Sequence, residues 1–263
     1  MNEQATGKNG AHGGGVALVT GAARRIGRAI ALGLARDGWD VAVHYHGSAA
    51  GAQETVAAIE ALGRRAAALR CDLADAAATA GLLARASEAL GPVSCVVNNA
   101  SLFDYDNAAD FGAERLDAHM RVNVTAPLLL ARALHAATPA GRQAVVVNLL
   151  DQKLYNLNPD YLSYTLSKAA LHTATTMLAQ ALAPTVRVVG IAPGITLVSG
   201  EQSESGFDQA HQATPLGRSS TPEDIADSVC YVARARALTG TTLLVDGGQH
   251  LMPLARDVMF LTK

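Results

Sequence analysis

Three cysteines in 263 residues, none in a CxxC pair, leave little with which to staple this chain or bind a metal. Cys71, Cys95 and Cys230 each lie in or beside an apolar stretch and read as buried, reduced thiols, so neither a disulfide nor a zinc site is expected. A basic run is also missing: with the 21 basic residues scattered and a net charge of -2, nothing offers a footprint for nucleic acid or an anionic membrane. Long hydrophobic runs are absent too. The longest are a few residues, as in Val145-Val146-Val147, and the polar opening Met1-Asn2-Glu3-Gln4 lacks the apolar core of a signal peptide, so a cytoplasmic protein is expected. Without such a signal the acceptor pattern Asn123-Val124-Thr125 carries no weight as a glycosylation site. What remains is a chain whose 49% hydrophobic content can fill a sizeable core and whose partner is a small molecule.

Residues 1–13 have almost nothing to bury and are expected to form a flexible tail, with order beginning near Val16. Seven short apolar runs then recur: Val16 to Thr20, Val41 to Tyr45, Ala66 to Arg70, Cys95 to Asn98, Ala144 to Leu149, Val186 to Ile191 and Thr242 to Val245. Each is apolar on both faces, as buried parallel strands are. Stretches of helical periodicity, including Arg25 to Arg36, Ala50 to Leu62, Asp75 to Leu90 and Tyr161 to Leu182, supply the crossovers. The alternation predicts an α/β doubly wound (Rossmann) seven-stranded parallel sheet, and no linker or repeat divides residues 14–263 into more than one domain.

The first run ends at Thr20 and is followed by Gly21-Ala22-Ala23-Arg24-Arg25-Ile26-Gly27, a turn into a helix whose backbone amides suit a pyrophosphate. The second run ends in His44-Tyr45-His46-Gly47-Ser48, with no acidic residue for an adenosine ribose diol. That favours NADPH, with Arg25, His46 and Ser48 around its 2′-phosphate. Asp40 stands at the wrong end of that strand and reads as a turn residue. Farther on, Tyr164 and Lys168 are four apart, on one helix face, where an ammonium lowers the pKa of a neighbouring phenol. Tyr161 lies two turns from Lys168 and reads as packing or pocket wall.

These motifs, with Asp72-Leu73, Asn98-Asn99-Ala100-Ser101, Asn123, Pro193-Gly194 and Asp246-Gly247-Gly248, resemble the short-chain dehydrogenase/reductase family from Val16 to about Leu251. The resemblance implies a cofactor site of Gly21, Arg25, Ile26, Gly27, His46 and Ser48, with Asp72 and Leu73 along the adenine. It places Asn99, Ala100 and Ser101 beneath the ribose, and Pro193, Gly194 and Thr196 at the carboxamide. It makes Tyr164, Lys168 and Asn123 catalytic, Asn123 holding a water that links Lys168 to solvent.

Two positions depart from the general pattern: Arg25 replaces a central glycine, and Asp151, thirteen residues before Tyr164, replaces a serine. Both are similar to the pteridine reductase branch, as are His44 to Ser48 and Phe103, which that resemblance makes a stacking platform for a pterin. Gly47 stands where relatives can carry arginine. Bacterial dihydromonapterin reductases are an equally good relative. Reduction of a conjugated C=N needs a proton on nitrogen, which a carboxylic acid held partly protonated by burial can donate. Asp151 is therefore expected to share catalysis with Tyr164, while Lys153 is expected to turn outward and leave it undisturbed. Ser101, Phe103, Leu154, Leu197 and Tyr105 complete the expected substrate wall. A carbonyl or 3-oxoacyl reductase, which treats Asp151 as a spacer, is the competing reading, and a non-catalytic dinucleotide sensor a third. The resemblance also implies a homotetramer, to which the apolar run Leu251-Met252-Pro253-Leu254 is suited, and residues 197–214 read as a mobile lid.

Overall fold

The computed structural model describes residues 14–198 and 203–260, so the expected tail over 1–13 lies outside the described residues. A seven-stranded parallel sheet in the order β3-β2-β1-β4-β5-β6-β7 forms its centre. The strands are β1 (Val16–Val19), β2 (Asp40–Tyr45), β3 (Ala66–Arg70), β4 (Val93–Asn98), β5 (Ala144–Leu149), β6 (Val186–Pro193) and β7 (Thr242–Val245). Helices α1 (Arg25–Arg36), α2 (Ala49–Ala61) and α3 (Ala76–Leu90) connect the first four strands. After β4 come α4 (Ala113–Met120) and α5 (Ala126–Ala137), and then α6 (Leu162–Ala181), α7 (Glu204–Gln212) and α8 (Pro222–Arg234). The strand order reverses between β1 and β4, which opens a crevice at the carboxyl ends of the strands where such sheets bind ligands.

Val, Leu and Ile side chains of β1, β2, β4, β5 and β6 pack into two apolar layers, one on each face of the sheet, and these are the runs that read as buried on both faces. The edge strands differ from that expectation. Most of β3 and all of β7 are only half-buried, because each has a neighbour on one side alone. Asp40 begins β2 far from the crevice and is held there by Arg64 at 2.7 Å and by Arg65, which keep its carboxyl below the usual range against the opposing effect of burial. All three cysteines are buried and reduced, and burial pushes the Cys95 and Cys230 thiols up to about 12. No helix among the described residues is long and apolar enough to cross a membrane, and no cluster there suits a metal ion.

Candidate active site

One cavity of about 780 Å³ runs along the crevice from Gly21 and Ser48 to Asp151 and Val258. Its first wall is the turn after β1. The Thr20 hydroxyl accepts the Asn99 and Ala100 N–H groups at 2.9 and 3.0 Å, and the Asn99 side-chain amide donates back to the Thr20 carbonyl at 2.8 Å. Gly21 takes a left-handed φ of +65°, and its N–H donates to His44 Nδ1 at 3.1 Å. His44 Nε2 must then carry the proton it shares with the Cys71 carbonyl, so the ring is neutral, consistent with burial pulling its pKa down to about 4. A Cβ on Gly27 would sit 2.2 Å from the Gly21 carbonyl, so only glycine lets α1 start this close to the turn. The result is a backbone cradle at a helix N-terminus, a shape that fits a pyrophosphate.

Around that cradle some expectations change. Arg25 lines the cavity with His46 and Ser48, and its guanidinium donates to the Val198 carbonyl at 2.9 Å. Its backbone holds an uncommon left-handed φ of +55°. Arg24, unassigned from sequence, lines the cavity with His46, Gly47 and Ser48. A Cβ on Gly47 would meet nothing within 4 Å, so that corner is open. Asp72 and Leu73 do not line the cavity: the Asp72 carboxylate accepts the Ala74 N–H at 2.9 Å at the start of the turn into α3, and Leu73 is buried in the apolar layer beneath. Gly21, Ile26, Gly27, Asn99, Ala100 and Ser101 all line it, as do Pro193, Gly194, Thr196 and Leu197.

At the other end β5 delivers Asp151 two residues beyond Leu149, and α6 delivers Tyr164 and Lys168. The Tyr164 hydroxyl donates to Asp151 Oδ2 at 2.7 Å, and Asp151 Oδ1 accepts the Lys153 N–H at 2.8 Å. Lys168 Nζ donates to the Leu149 carbonyl at 2.7 Å and stands 5.6 Å from the centre of the Tyr164 ring. Burial raises the Asp151 pKa, helped by the like charge of Asp257 and opposed by its two hydrogen bonds and by Lys168. Burial also lowers Lys168 to about 8, against the pull of Asp151. The expected lowering of the phenol is reversed. Burial, then the charge and hydrogen bond of Asp151, push Tyr164 well above its ordinary value, and the proton stays on the ring oxygen. Both neighbouring oxygen acids, the Asp151 carboxyl and the Tyr164 phenol, are thus raised above their ordinary values.

Phe103 stacks on Tyr161 at 4.4 Å and meets Tyr164 edge-on at 4.7 Å, so one of its faces is already covered by protein. Of its two expected roles, packing or pocket wall, Tyr161 fills the packing one beneath Phe103 and does not line the cavity; it is held in an uncommon left-handed φ of +55° immediately before α6. Asn123 sits in a π-helical turn, Arg121–Thr125, between α4 and α5, an irregularity common at functional sites. Its amide accepts from Leu102 N–H at 2.8 Å and Ser101 Oγ at 3.3 Å, and donates to the Leu102 carbonyl and Ser167 Oγ, both at 3.0 Å. That saturates the side chain. Asn123 therefore fixes the Ser101 segment against α6, and its amide has no capacity left for the water expected of it.

Two other expectations fail for one reason each. Lys153 turns inward and is only 3% exposed, because Asp257 and the Asp160 carbonyl give its ammonium partners at 3.1 and 2.6 Å. Leu154 packs against Leu150, Leu171 and Ala192 below the cavity floor and, like Tyr105, does not line it. Of the expected lid, residues 199–202 lie outside the described residues, whereas Glu204–Gln212 form α7, capped by Ser203 Oγ at 3.1 Å from the Gly206 N–H. The cavity also includes Gln249, whose Oε1 accepts the Ile195 N–H at 3.0 Å, and Asp257 and Val258. Sequence reading missed these three. Gln249 follows directly on Asp246-Gly247-Gly248 and was findable, while the C-terminal pair carries no local signal.

A family model described as Enoyl-(Acyl carrier protein) reductase matches residues 21–250. In three dimensions the chain is similar to FolM alternative dihydrofolate reductase 1 of Brucella canis, solved in complex with NADP: TM-score 0.89, 39% identity, 94% of this chain and 98% of the other. In sequence it is 34% identical to an L-rhamnose 1-dehydrogenase (NAD(P)(+)) of Sphingomonas sp., over 90% of this chain and 97% of that protein. It is 30% identical to the 3-oxoacyl-(acyl-carrier-protein) reductase FabG of Staphylococcus aureus, over 89% and 98%. With the glycine turn, the Tyr164–Lys168 pair and these relatives in agreement, the chain belongs to the short-chain dehydrogenase/reductase family.

Proposed function

We propose that this chain is an NADPH-dependent reductase of a dihydropterin-type C=N bond. The cofactor is NADPH: the cradle of Gly21 and Gly27, the absence of an acidic residue at the end of β2 itself, where Arg24, His46 and Ser48 line the cavity and Asp72 reaches only as far as His46, at 3.8 Å, and the NADP-bound state of the Brucella canis relative all support it. When bound, NADPH supplies the hydride that adds to the carbon of the C=N bond. The chain's own task is then to deliver a proton to the nitrogen. Lys168 holds positive charge beside the nicotinamide ribose, and Phe103 and Leu197 frame the ring.

One observation carries the reading: a half-buried carboxyl and a buried phenol share a 2.7 Å hydrogen bond at the cavity wall. A serine hydroxyl in place of Asp151 would serve a ketone, whose oxygen needs only the tyrosine proton. A raised carboxyl adds an acid strong enough for a ring nitrogen. As the nitrogen takes its proton, the Tyr164 hydroxyl bonded to Oδ2 stabilises the carboxylate left behind, and a proton from solvent resets the pair. The name of the Brucella canis relative agrees with a pterin-like substrate. The FabG relative supports a second reading, reduction of a 3-oxoacyl thioester by Tyr164 and Lys168 alone. Exposed Leu251 and Met252 support association of copies, in keeping with a homotetramer.

The deciding experiment follows NADPH oxidation with a 7,8-dihydropterin and, in parallel, a short 3-oxoacyl thioester. Turnover of the pterin that is lost in Asp151→Ser supports the reading. Turnover of the thioester alone, unchanged in Asp151→Ser, replaces it with the carbonyl reductase.

A further inference from the structure

Beyond β7 the chain returns to the cavity. Arg256 Nε reaches both Asp160 oxygens at 3.0 and 2.8 Å and its Nη2 reaches one of them at 2.8 Å, while the Asp257 N–H donates to the same carboxylate at 2.7 Å. The Phe260 ring lies 5.4 Å from Tyr105 and 6.3 Å from Tyr161, with the Arg256 guanidinium 4.7 Å over it. These contacts fix the segment over the start of α6. Asp257 consequently lines the cavity beside Asp151, with its Oδ2 3.1 Å from Lys153 Nζ.

This carboxylate is the counter-ion of the buried Lys153 ammonium, which also donates to the Asp160 carbonyl, and it adds a like charge next to Asp151. The Asp160 carboxylate anchors the same segment independently, through Arg256 and the Asp257 backbone N–H. A carboxylate facing a substrate cavity does suit one class of ligand edge. An amino group beside a ring N–H presents two parallel donors, the geometry that carboxylates accept from guanidinium. We propose that Asp257 is a specificity-determining residue that accepts hydrogen bonds from the 2-amino lactam edge of the substrate ring. The proposal rests on the pterin reading above and names the group that recognises such a ring. A 3-oxoacyl chain offers no paired donors near its keto carbon, so the same carboxylate gives it nothing. Sites built to hydrogen-bond a group reject analogues lacking it, because the buried partner is left unpaired.

The test uses full-length protein loaded with NADPH, the Asp257→Asn and Asp257→Glu variants, and two readouts. One is the kinetics with a dihydropterin and a 3-oxoacyl thioester. The other is calorimetric binding of 2-amino-4-hydroxypyrimidine, which carries the edge but cannot be reduced. In Asp257→Asn the pterin KM and the pyrimidine Kd are expected to rise together about 10- to 100-fold, the worth of hydrogen bonds to a charged group, with NADPH affinity little changed. Asp257→Glu is expected to recover part of the loss. Unchanged pterin KM and pyrimidine affinity overturn the proposal. So does equal loss with both substrates together with weaker NADPH binding in both variants, which would make Asp257 a purely structural anchor. If the protein binds the pyrimidine through Asp257 yet reduces no pterin, the recognition stands and the assigned reaction falls.

Discussion

At the dinucleotide end of the cavity, the turn between β1 and α1 is held by uncharged groups: the Thr20 hydroxyl, the Asn99 amide and a neutral His44. At the substrate end, Lys153, Lys168 and Asp160 are buried and Asp151 and Asp257 half-buried, and each is positioned by hydrogen bonds or ion pairs to residues from other elements. The difference follows from what each end must do. A pyrophosphate carries its own charge and needs donors that are fixed and close, which backbone amides provide cheaply. Proton transfer needs titratable groups displaced from their usual pKa, and displacement requires burial beside other charges. One end is therefore sensitive to shape and the other to charge.

The largest expected effect tests the charged end. Tyr164→Phe removes the hydroxyl that supports the Asp151 acid, and kcat should fall about 10²- to 10⁴-fold while the NADPH Kd, read by fluorescence titration, stays near the native value. A variant that loses cofactor binding as strongly as turnover would erase the distinction between the two ends. Gly27→Ala reverses the pattern. Its Cβ would press on the Gly21 carbonyl, and the strain of about 1 to 3 kcal/mol should weaken NADPH binding about 10- to 100-fold and spread to both substrates alike.

The pH profile sharpens the charged end further. Lys168 is lowered to about 8, so its ammonium is present below that pH and lost above it. kcat/KM should decline above about pH 8, roughly tenfold per unit. Asp151 is raised, so its acid form persists to higher pH than an ordinary carboxyl and disappears as pH rises through the raised value. Pterin turnover should accordingly decline at lower pH than turnover of a carbonyl compound that needs no carboxyl proton. Coincident profiles for the two substrates would remove Asp151 from the reaction.

Smaller effects belong to the supports. Asp106 is fully buried, accepts the Ser163 N–H at 2.9 Å and bonds the Ser163 hydroxyl, and so caps the helix that carries Tyr164. Asp106→Ala should cost about 1 to 2 kcal/mol in urea unfolding. Arg25→Gly should do the opposite, stabilising the fold by about 1 kcal/mol because Arg25 occupies a left-handed φ, while losing the contact with Val198. Unfolding midpoints of the pair measure both.

The dinucleotide end was the more legible from sequence. Gly21, Ile26 and Gly27 lie within one strand–turn–helix unit, so their spacing alone fixes their register. Tyr164 and Lys168 share a helix face for the same reason. Errors arose where direction depends on distant partners. Lys153 turned inward because Asp257, 104 residues away, was there to meet it. Arg25 reached Val198, 173 residues on. The phenol went up in pKa because burial and Asp151 outweighed anything Lys168 offered.

Sequence by itself determined the alternation of strands and helices, the glycine cradle and the pairing of tyrosine with lysine. All follow from steric limits and periodicities that act within a few residues. Tertiary structure alone decided which charges face each other across the cavity, that the Asn123 amide is saturated, and that the C-terminal segment returns to line the site. Those outcomes depend on burial and on contacts between residues far apart in the chain, for which no local pattern exists.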